Sequence, residues 1–390
     1  MAAKKKTPAT PPPSPKAAAP SGGTPTMTDR DRRTLDKIHK LTARTLATVE
    51  KGQNPALEIK TRALSNVSFN ARRRIIELGD RTQSREFFNT GMARKFMQTF
   101  LVANECKNLI RENKTITIRQ LYYVTKHTLK GSTENTFEDQ SESDPIIEDL
   151  EVTIDALREE LHLFANKKGL AAGPVVMVDS GDEIDLSRMG RGGWGIPSIC
   201  EPEVLQFKSS KAEFALLVEK DAVWSRLLED RFHEKNKCLL VSSGGQAARG
   251  VRRLVQRIHE ELKIPIYVLV DNDPWGLYIY SVLKQGSINL AFESMRMAVP
   301  GVRFIGMSAS DHKKFKLPKA VEIKLNKEDI SRAAQMRAYP WFADRKWQRE
   351  IDALLENGFK MEVDSILSKG ISFITDEYLP KKLRDKDYLV

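Results

Sequence analysis

The chain has 390 residues, of which 41% are hydrophobic and 29% are charged, and this composition is typical of a globular protein. Its length predicts about two or three domains. No stretch approaches the roughly 18 apolar residues of a membrane span, and the basic N-terminus is not followed by an apolar signal segment. We therefore expect a protein that is not secreted: cytoplasmic in a prokaryote, or nuclear in a eukaryote.

The net charge of +11 is distributed unevenly. Residues 28–130 carry 22 basic and 10 acidic side chains, whereas residues 131–390 carry a net charge of −5. A long basic segment is expected of a nucleic-acid-binding domain, and a basic solvated surface is the alternative. The cysteines, Cys106, Cys200 and Cys238, have no CxxC spacing, so neither a disulfide framework nor a zinc ribbon is predicted.

The first part of the chain is expected to be a tail followed by helices. Residues 1–27 are rich in proline, alanine and lysine and offer little to bury, so we predict a disordered basic tail. From residue 28 to about residue 113 apolar residues recur at helical spacing, as in Leu35, Ile38 and Leu41. This spacing predicts a helical bundle.

Two shorter helices are expected next. Thr117 is a good N-cap for a helix in which Ile118 and Leu121 share one face. Asp144 is expected to cap another helix, with Pro145 in its first turn. Short helices joined by turns inside a basic segment are compatible with a helix-turn-helix or winged-helix domain.

Beyond Gly173 short apolar runs alternate with helical stretches, which is typical of a parallel α/β sheet. This change places a domain boundary near residue 165. From Asp329 onward the pattern is mostly helical again. The expected buried strands are residues 174–179, 214–219, 238–243, 266–271 and 302–307.

Acidic residues end two of these runs: Glu219 ends one, and Asp271 and Asp273 end another. Because ligands gather at the carboxyl ends of parallel strands, we expect these three carboxylates to meet at one edge of the sheet. Carboxylate oxygens without His or Cys suit Mg²⁺, which also binds substrate phosphates. The alternative is that each acid simply caps the following helix; Asp179, which ends a further run, has no assigned role.

The segment RQLYY holds a candidate nucleophile. Arg119 and Tyr123 are four residues apart and share a helix face, whereas Tyr122 points elsewhere. A phenol is a weak nucleophile at neutral pH unless a cation or a base favours the phenolate, and a guanidinium one turn away supplies a cation. The alternative is that both tyrosines are packing residues.

A third group consists of arginines that follow the run ending in Ser-Ser-Gly-Gly. Arg249, Arg252 and Arg253 lie near an expected helix start, where they could bind phosphate, and an ordinary solvated helix face is the alternative. Of these, Arg249 and Arg252 are the candidates for DNA contact. The chain has no Walker site for a nucleotide.

Several motifs together resemble the A subunits of type IIB topoisomerases, the topoisomerase VI class, and their relatives, the meiotic double-strand-break transesterases. The resemblance spans most of residues 28–390, and its specificity lies in the order and spacing of the motifs. It departs from the family at Ala247, where proline usually follows Gly-Gln, and this departure weakens the assignment of Arg252 to DNA contact. The motifs are IRQLYY, LLVEKDAVW, GGQAARGVRR, VLVDNDPWG, KMEVDSIL and EYLPKKL.

The resemblance implies a multidomain α+β and α/β fold. Residues 28–165 would form a helical and winged-helix DNA-binding domain of the catabolite-activator type, which carries the nucleophilic tyrosine. Residues 166–390 would form a Rossmann-like Toprim domain that binds the metal and ends in a helical elaboration.

The resemblance also implies roles for the candidate residues. Tyr123, assisted by Arg119, would attack a DNA phosphodiester and leave a 5′ phosphotyrosyl link and a free 3′ hydroxyl. Glu219, Asp271 and Asp273 would bind Mg²⁺, and Glu219 is also a candidate general acid or base for the leaving hydroxyl.

The implied partners are double-stranded DNA, a GHKL-type ATPase B subunit, and a second copy of the chain in a homodimer. In the resulting A2B2 heterotetramer each tyrosine would work with the metal site of the opposite protomer, and ATP hydrolysis by the B subunit would drive strand passage that relaxes or decatenates DNA. Two alternatives remain open: a stand-alone double-strand-break former without an ATPase partner, and a non-catalytic DNA-binding scaffold. A GHKL-type gene beside this one would favour the topoisomerase.

Overall fold

The computed structural model describes residues 27–165 and 167–390. The predicted disordered tail, apart from Met27, lies outside the described residues. Across these two stretches no helix is long and apolar enough to cross a membrane.

Residues 27–165, all of them described, combine four helices with six short strands. In chain order these are α1 (Asp29–Glu50), β1 (Ala56–Lys60), β2 (Val67–Asn70), β3 (Ile75–Leu78), β4 (Thr82–Glu86), α2 (Thr90–Glu112), β5 (Ile116–Thr117), α3 (Ile118–Thr125), α4 (Gln140–Ile154) and β6 (Leu163–Phe164). Helix α2 packs against the other three helices. Its side chains Phe96 and Val102 lie in one core with Leu121 of α3 and Leu150 of α4.

The expected helical bundle is interrupted, so that prediction is wrong for residues 56–86. This segment forms two antiparallel strand pairs, β1 with β4 and β2 with β3. In β1 the buried residues Leu57 and Ile59 alternate with exposed or half-buried charged residues, and a two-residue period is that of a strand. Ile76 of β3 packs into a core formed mainly by the second half of the chain.

The second half is built on a mixed sheet with the order β10-β7-β13-β12-β14-β15, in which the last four strands are parallel. Neighbouring residues Leu216 and Leu217 of β12 enter different cores, because helices cover both faces of the sheet. The strands are β7 (Leu170–Ala172), β8 (Val175–Asp179), β9 (Asp182–Asp185), β10 (Trp194–Gly195), β11 (Leu205–Ser210), β12 (Phe214–Val218), β13 (Cys238–Ser242), β14 (Ile266–Leu269), β15 (Arg303–Gly306), β16 (Ile323–Lys324) and β17 (Phe359–Lys360). The helices are α5 (Asp221–Glu229), α6 (Phe232–Lys235), α7 (Arg249–Arg257), α8 (Pro274–Gln285), α9 (Ser294–Met297), α10 (Asp311–Lys314), α11 (Lys327–Ala338), α12 (Arg345–Asn357) and α13 (Leu379–Arg384).

Strand β8 does not join this sheet, which corrects the expectation for residues 174–179. It lies between β11 and β9 in a separate antiparallel sheet. The cause is a tight hairpin turn in which Ser180 and Gly181 have φ values of 52° and 98°, as a two-residue hairpin loop requires. Asp179 therefore lies beside that turn and not at the carboxyl edge of the parallel strands.

Candidate active site

The tyrosine pair lies on the short helix α3, whose start is fixed locally. The backbone N–H of Gln120 donates to Oγ1 of Thr117 at 3.1 Å, and the N–H of Thr117 donates to Oε1 of Gln120 at 2.8 Å. This reciprocal capping box confirms the N-cap that the sequence predicts. Leu121 and Thr125 face the core, which orients the rest of the helix.

The two tyrosines have different environments. Tyr122 is 8% exposed; its hydroxyl donates to the carbonyl oxygen of Glu138 at 3.0 Å and accepts from Nζ of Lys126 at 2.9 Å. Tyr123 is 60% exposed, and its ring meets the edge of the Tyr122 ring with the centroids 5.0 Å apart. The second tyrosine of the pair is therefore the one that a docked molecule can reach.

Arg119 lies one turn before Tyr123 and is exposed. No hydrogen bond or ion pair within the described residues engages Arg119. The helix thus presents both side chains to solvent, and the assisting role of Arg119 stays a prediction.

The three predicted acids lie at the carboxyl ends of the adjacent parallel strands β12 and β14. Glu219 follows β12 directly, and its backbone N–H donates to the carbonyl oxygen of Leu269 at 3.0 Å. The N–H of Asp271 in turn points at Oε2 of Glu219 at 3.4 Å. Asp273 caps α8, accepting from the N–H of Gly276 at 2.6 Å. The structure therefore brings the acids to one edge, and Asp273 also serves as the helix cap that was the alternative.

Electrostatically this edge concentrates negative charge. Burial, followed by the charges of Asp271 and Asp273, raises the pKa of Glu219 to about 7. Burial also raises the pKa of Asp271, although the N–H of Val363 and the ammonium of Lys220 oppose that shift. The pKa of Asp273 is raised by its burial as well. Carboxylates that repel one another in a desolvated site favour a bound cation.

Sequence reasoning missed the groups that surround these acids. Nζ of Lys220 lies 3.0 Å from Oδ2 of Asp271, 2.9 Å from Glu362 and 3.0 Å from Asp364. Burial alone lowers the pKa of Lys220, but hydrogen bonds to these three acids raise it above its ordinary value. The N–H of Val363 donates to Oδ1 of Asp271 at 2.8 Å. The available signal was the pair of acids on either side of Val363 in the KMEVDSIL motif.

The donor set fits a divalent metal. Among the described residues no three His, Cys, Asp or Glu side chains are already spaced as a metal cage. Mg²⁺ does not need one, because it uses one or two carboxylates together with waters and substrate phosphates. The side chain of Asn272, between two of the acids, is fully buried, and neither polar atom of its amide has a hydrogen-bond partner within the described residues. A buried amide of this kind needs a partner.

Arg249 and Arg252 do not lie on a DNA-accessible surface, so the prediction that they contact DNA is corrected. Arg249 of α7 is paired with Glu151 at 3.1 Å, with Glu159 at 2.8 Å and with Glu293. Arg252 is 3% exposed and is also paired with Glu293. Buried guanidinium groups require such carboxylates, and these come from sequence positions far from α7.

Comparison with known families assigns a class to this arrangement. Residues 94–163 match the model described as "Type IIB DNA topoisomerase". Residues 214–383 match the model of the Toprim domain that is shared by Spo11 and the topoisomerase 6 A subunit. Residues 214–383, with acids at the strand ends, are thus a Toprim domain.

Individual relatives agree over nearly the whole chain. The A subunit of the type 2 DNA topoisomerase 6 of Pyrococcus horikoshii is 42% identical over 363 residues, covering 91% of this chain and 94% of the relative. That of Hyperthermus butylicus is 41% identical, covering 88% and 92%. The A3 subunit of the DNA topoisomerase 6 of Oryza sativa is 30% identical, covering 93% and 80%. The chain belongs to the family of topoisomerase 6 A subunits.

Proposed function

We propose that this chain is the DNA-cleaving A subunit of a type IIB topoisomerase and that Tyr123 is its nucleophile. The observation that carries the assignment is the contrast within the tyrosine pair: Tyr122 is held by two hydrogen bonds, while Tyr123 is exposed. The phenol of Tyr123 loses its proton to solvent and its oxygen attacks a DNA phosphorus; the bond from phosphorus to O3′ breaks, and the 3′ oxygen takes up a proton. The phosphate stays on the enzyme as a 5′ phosphotyrosyl ester, and Arg119 assists on the same helix face.

Glu219, Asp271 and Asp273 are proposed to hold Mg²⁺ at the carboxyl edge of the sheet. When bound, the metal supplies Lewis-acid stabilisation of the charge that develops on the phosphate. Glu219 is also the proposed general acid or base for the leaving 3′ oxygen. Lys220 keeps Asp271 oriented through their contact at 3.0 Å.

We propose a homodimer in which each tyrosine works with the acids of the opposite protomer, because cleavage of both DNA strands needs two tyrosines. The exposed position of Tyr123, with no hydrogen bond or ion pair to an acid among the described residues, is compatible with this arrangement. We further propose that residues 28–165 act as a winged-helix DNA-binding domain, that residues 166–390 bind the metal, and that a GHKL-type ATPase B subunit completes an A2B2 heterotetramer for strand passage.

The covalent adduct tests the nucleophile. The chain with its ATPase partner, ATP, Mg²⁺ and end-labelled duplex DNA is denatured during turnover, and protein-linked 5′ ends are counted. Tyr123→Phe is expected to reduce adduct to background while DNA binding persists, because only the attacking oxygen is removed. Tyr122→Phe is the matched control and retains adduct. An adduct formed by Tyr123→Phe at the unsubstituted level refutes the assignment.

A further inference from the structure

An arginine outside the acids and the tyrosine helix lies on two aromatic rings of the Toprim domain. The guanidinium carbon of Arg332, on α11, is 4.4 Å from the ring centroid of Trp275 and 4.8 Å from that of Tyr278. Both rings belong to the first turns of α8, three residues apart. Stacking of this kind fixes the plane of a guanidinium and leaves the N–H groups at its edge available.

Arg332 also differs from the arginines of the buried network. In the described part of the chain it donates no hydrogen bond and forms no ion pair, whereas Arg249 and Arg253 are each bound to carboxylates. Trp275 is 42% exposed, so the stack is open to solvent on one side. A fixed cation with free donors, beside an exposed indole, is arranged to receive an anion.

The stack lies at the same edge of the sheet as the metal-binding acids. Trp275 comes two residues after Asp273, which caps α8. One turn before Arg332 on α11, Asp329 forms an ion pair with Lys360 at 2.9 Å. Burial raises the pKa of Asp273, and the charges of Lys360 and Asp329 are close enough to alter it. Helices α8 and α11 also pack directly on one another.

We infer that Arg332, held on Trp275 and Tyr278, contacts a phosphate of the DNA backbone beside the metal-binding acids. This inference rests on the proposed function, since a DNA strand must reach those acids to be cleaved. Arginine binds phosphate through paired N–H donors, and a side chain already fixed by two rings loses less conformational entropy on binding. A phosphate contact without a base contact gives affinity and register but no sequence preference.

The salt dependence of DNA binding tests this inference. The full chain in complex with its ATPase partner is titrated onto a fluorescent duplex in EDTA, so that no cleavage occurs, at several salt concentrations. Arg332→Met is expected to lower the slope of log affinity against log salt by about 0.9 for each phosphate that the variant no longer neutralises. Between 50 and 200 mM salt this corresponds to an approximately threefold change in the affinity ratio of the two proteins.

Three further variants separate charge from structure. Arg332→Lys keeps the positive charge and is expected to retain the slope. Trp275→Leu removes the support but leaves the cation, so affinity falls severalfold while the slope persists. Arg337→Met is the matched control, because Arg337 lies on the same helix, is more than half exposed and pairs with Asp352 at 3.3 Å. It is expected to bind as the unsubstituted protein does.

The outcomes distinguish this inference from the proposed function. An Arg332→Met protein with an unchanged melting temperature, slope and affinity overturns the phosphate contact, even if the unsubstituted protein cleaves DNA normally. A variant that binds DNA normally but no longer assembles with the ATPase partner also overturns it, in favour of a protein-binding role. If the unsubstituted protein forms no covalent adduct, the proposed function itself fails.

Discussion

The tyrosine helix, α3, and the acid edge, formed by Glu219, Asp271 and Asp273, obtain their reactivity in opposite ways. Tyr123 is 60% exposed, and nothing in the described chain bonds to it, so its surroundings are completed only by what docks there. The acids are desolvated by their own fold, and their mutual repulsion is built in before any ligand arrives. A substitution at Tyr123 should therefore change activity alone, whereas one at the acids should change activity and stability together.

The largest effect that sharpens this comparison is expected at Glu219. Glu219→Gln keeps the shape but removes the ionisable group, and loss of a general acid typically costs about 10²- to 10⁴-fold in rate. The metal-free protein should meanwhile become more stable at pH 8, because the buried charge is gone. This combination of lower activity and higher stability is typical of functional sites.

The pH dependence of that stability has a definite sign. The pKa of Glu219 is raised from 4.5 to about 7, so its contribution to the free energy of unfolding is complete below pH 4.5 and is lost as the pH rises toward 7. The loss is about 3 kcal/mol at most. Thermal unfolding in EDTA between pH 4 and 8 measures it, and Glu219→Gln should flatten the curve. Added Mg²⁺ should restore stability at pH 8 only in the unsubstituted protein.

Glu350 provides a matched control for Glu219. Burial raises its pKa to about 7 as well, but its Oε1 accepts from the N–H of Ala309 at 2.6 Å, and Asp311 rather than the acid edge adds to the shift. Glu350→Gln should flatten part of the same pH curve without reducing cleavage or the effect of Mg²⁺. Equal loss of cleavage in both variants would contradict a specific role for Glu219.

The acid edge could be predicted from sequence because its signals are local. A strand that ends in an acid carries that acid to the carboxyl edge, so Glu219 and Asp271 could be placed without knowing what surrounds them. The capping box at Thr117 was predictable for the same reason. Asp144 was not a cap, since α4 begins at Gln140 with Asp139 accepting from the N–H of Ser141 at 2.8 Å.

Groups that meet only through the tertiary fold could not be predicted. Nothing near α7 in the sequence shows that Arg249 meets Glu151, Glu159 and Glu293. These contacts link the end of the tyrosine-bearing half to the Toprim domain. Arginines that resemble a DNA-binding surface in the sequence therefore connect the tyrosine-bearing half to the Toprim domain inside the protein.

Breaking that connection should destabilise the protein more than any single surface change. Arg249 is the bidentate partner of Glu159 at 2.8 Å on both oxygens, so Arg249→Met leaves that carboxylate buried and unpaired. The expected cost is about 3–5 kcal/mol in the free energy of unfolding, measured by urea denaturation.

Arg253→Met is the control for Arg249. Its side chain is 19% exposed, and its partner Glu201 keeps a second arginine, Arg30, at 3.2 Å. We expect a cost of about 1 kcal/mol or less. Equal costs for the two variants would show that the pairing of Glu159 does not hold the two halves together.

The smallest predicted effect concerns the neighbour of the nucleophile. Tyr122→Phe removes one hydroxyl, which donates to Glu138 and accepts from Lys126, and should lower the free energy of unfolding by about 1 kcal/mol. Because phenylalanine keeps the ring that packs against Tyr123, adduct formation should be retained to within about fivefold. Tyr123→Phe, by contrast, should leave the melting temperature unchanged. If Tyr122→Phe abolished the adduct and Tyr123→Phe did not, the buried tyrosine would be the nucleophile, and exposure would have been the wrong criterion for choosing between them.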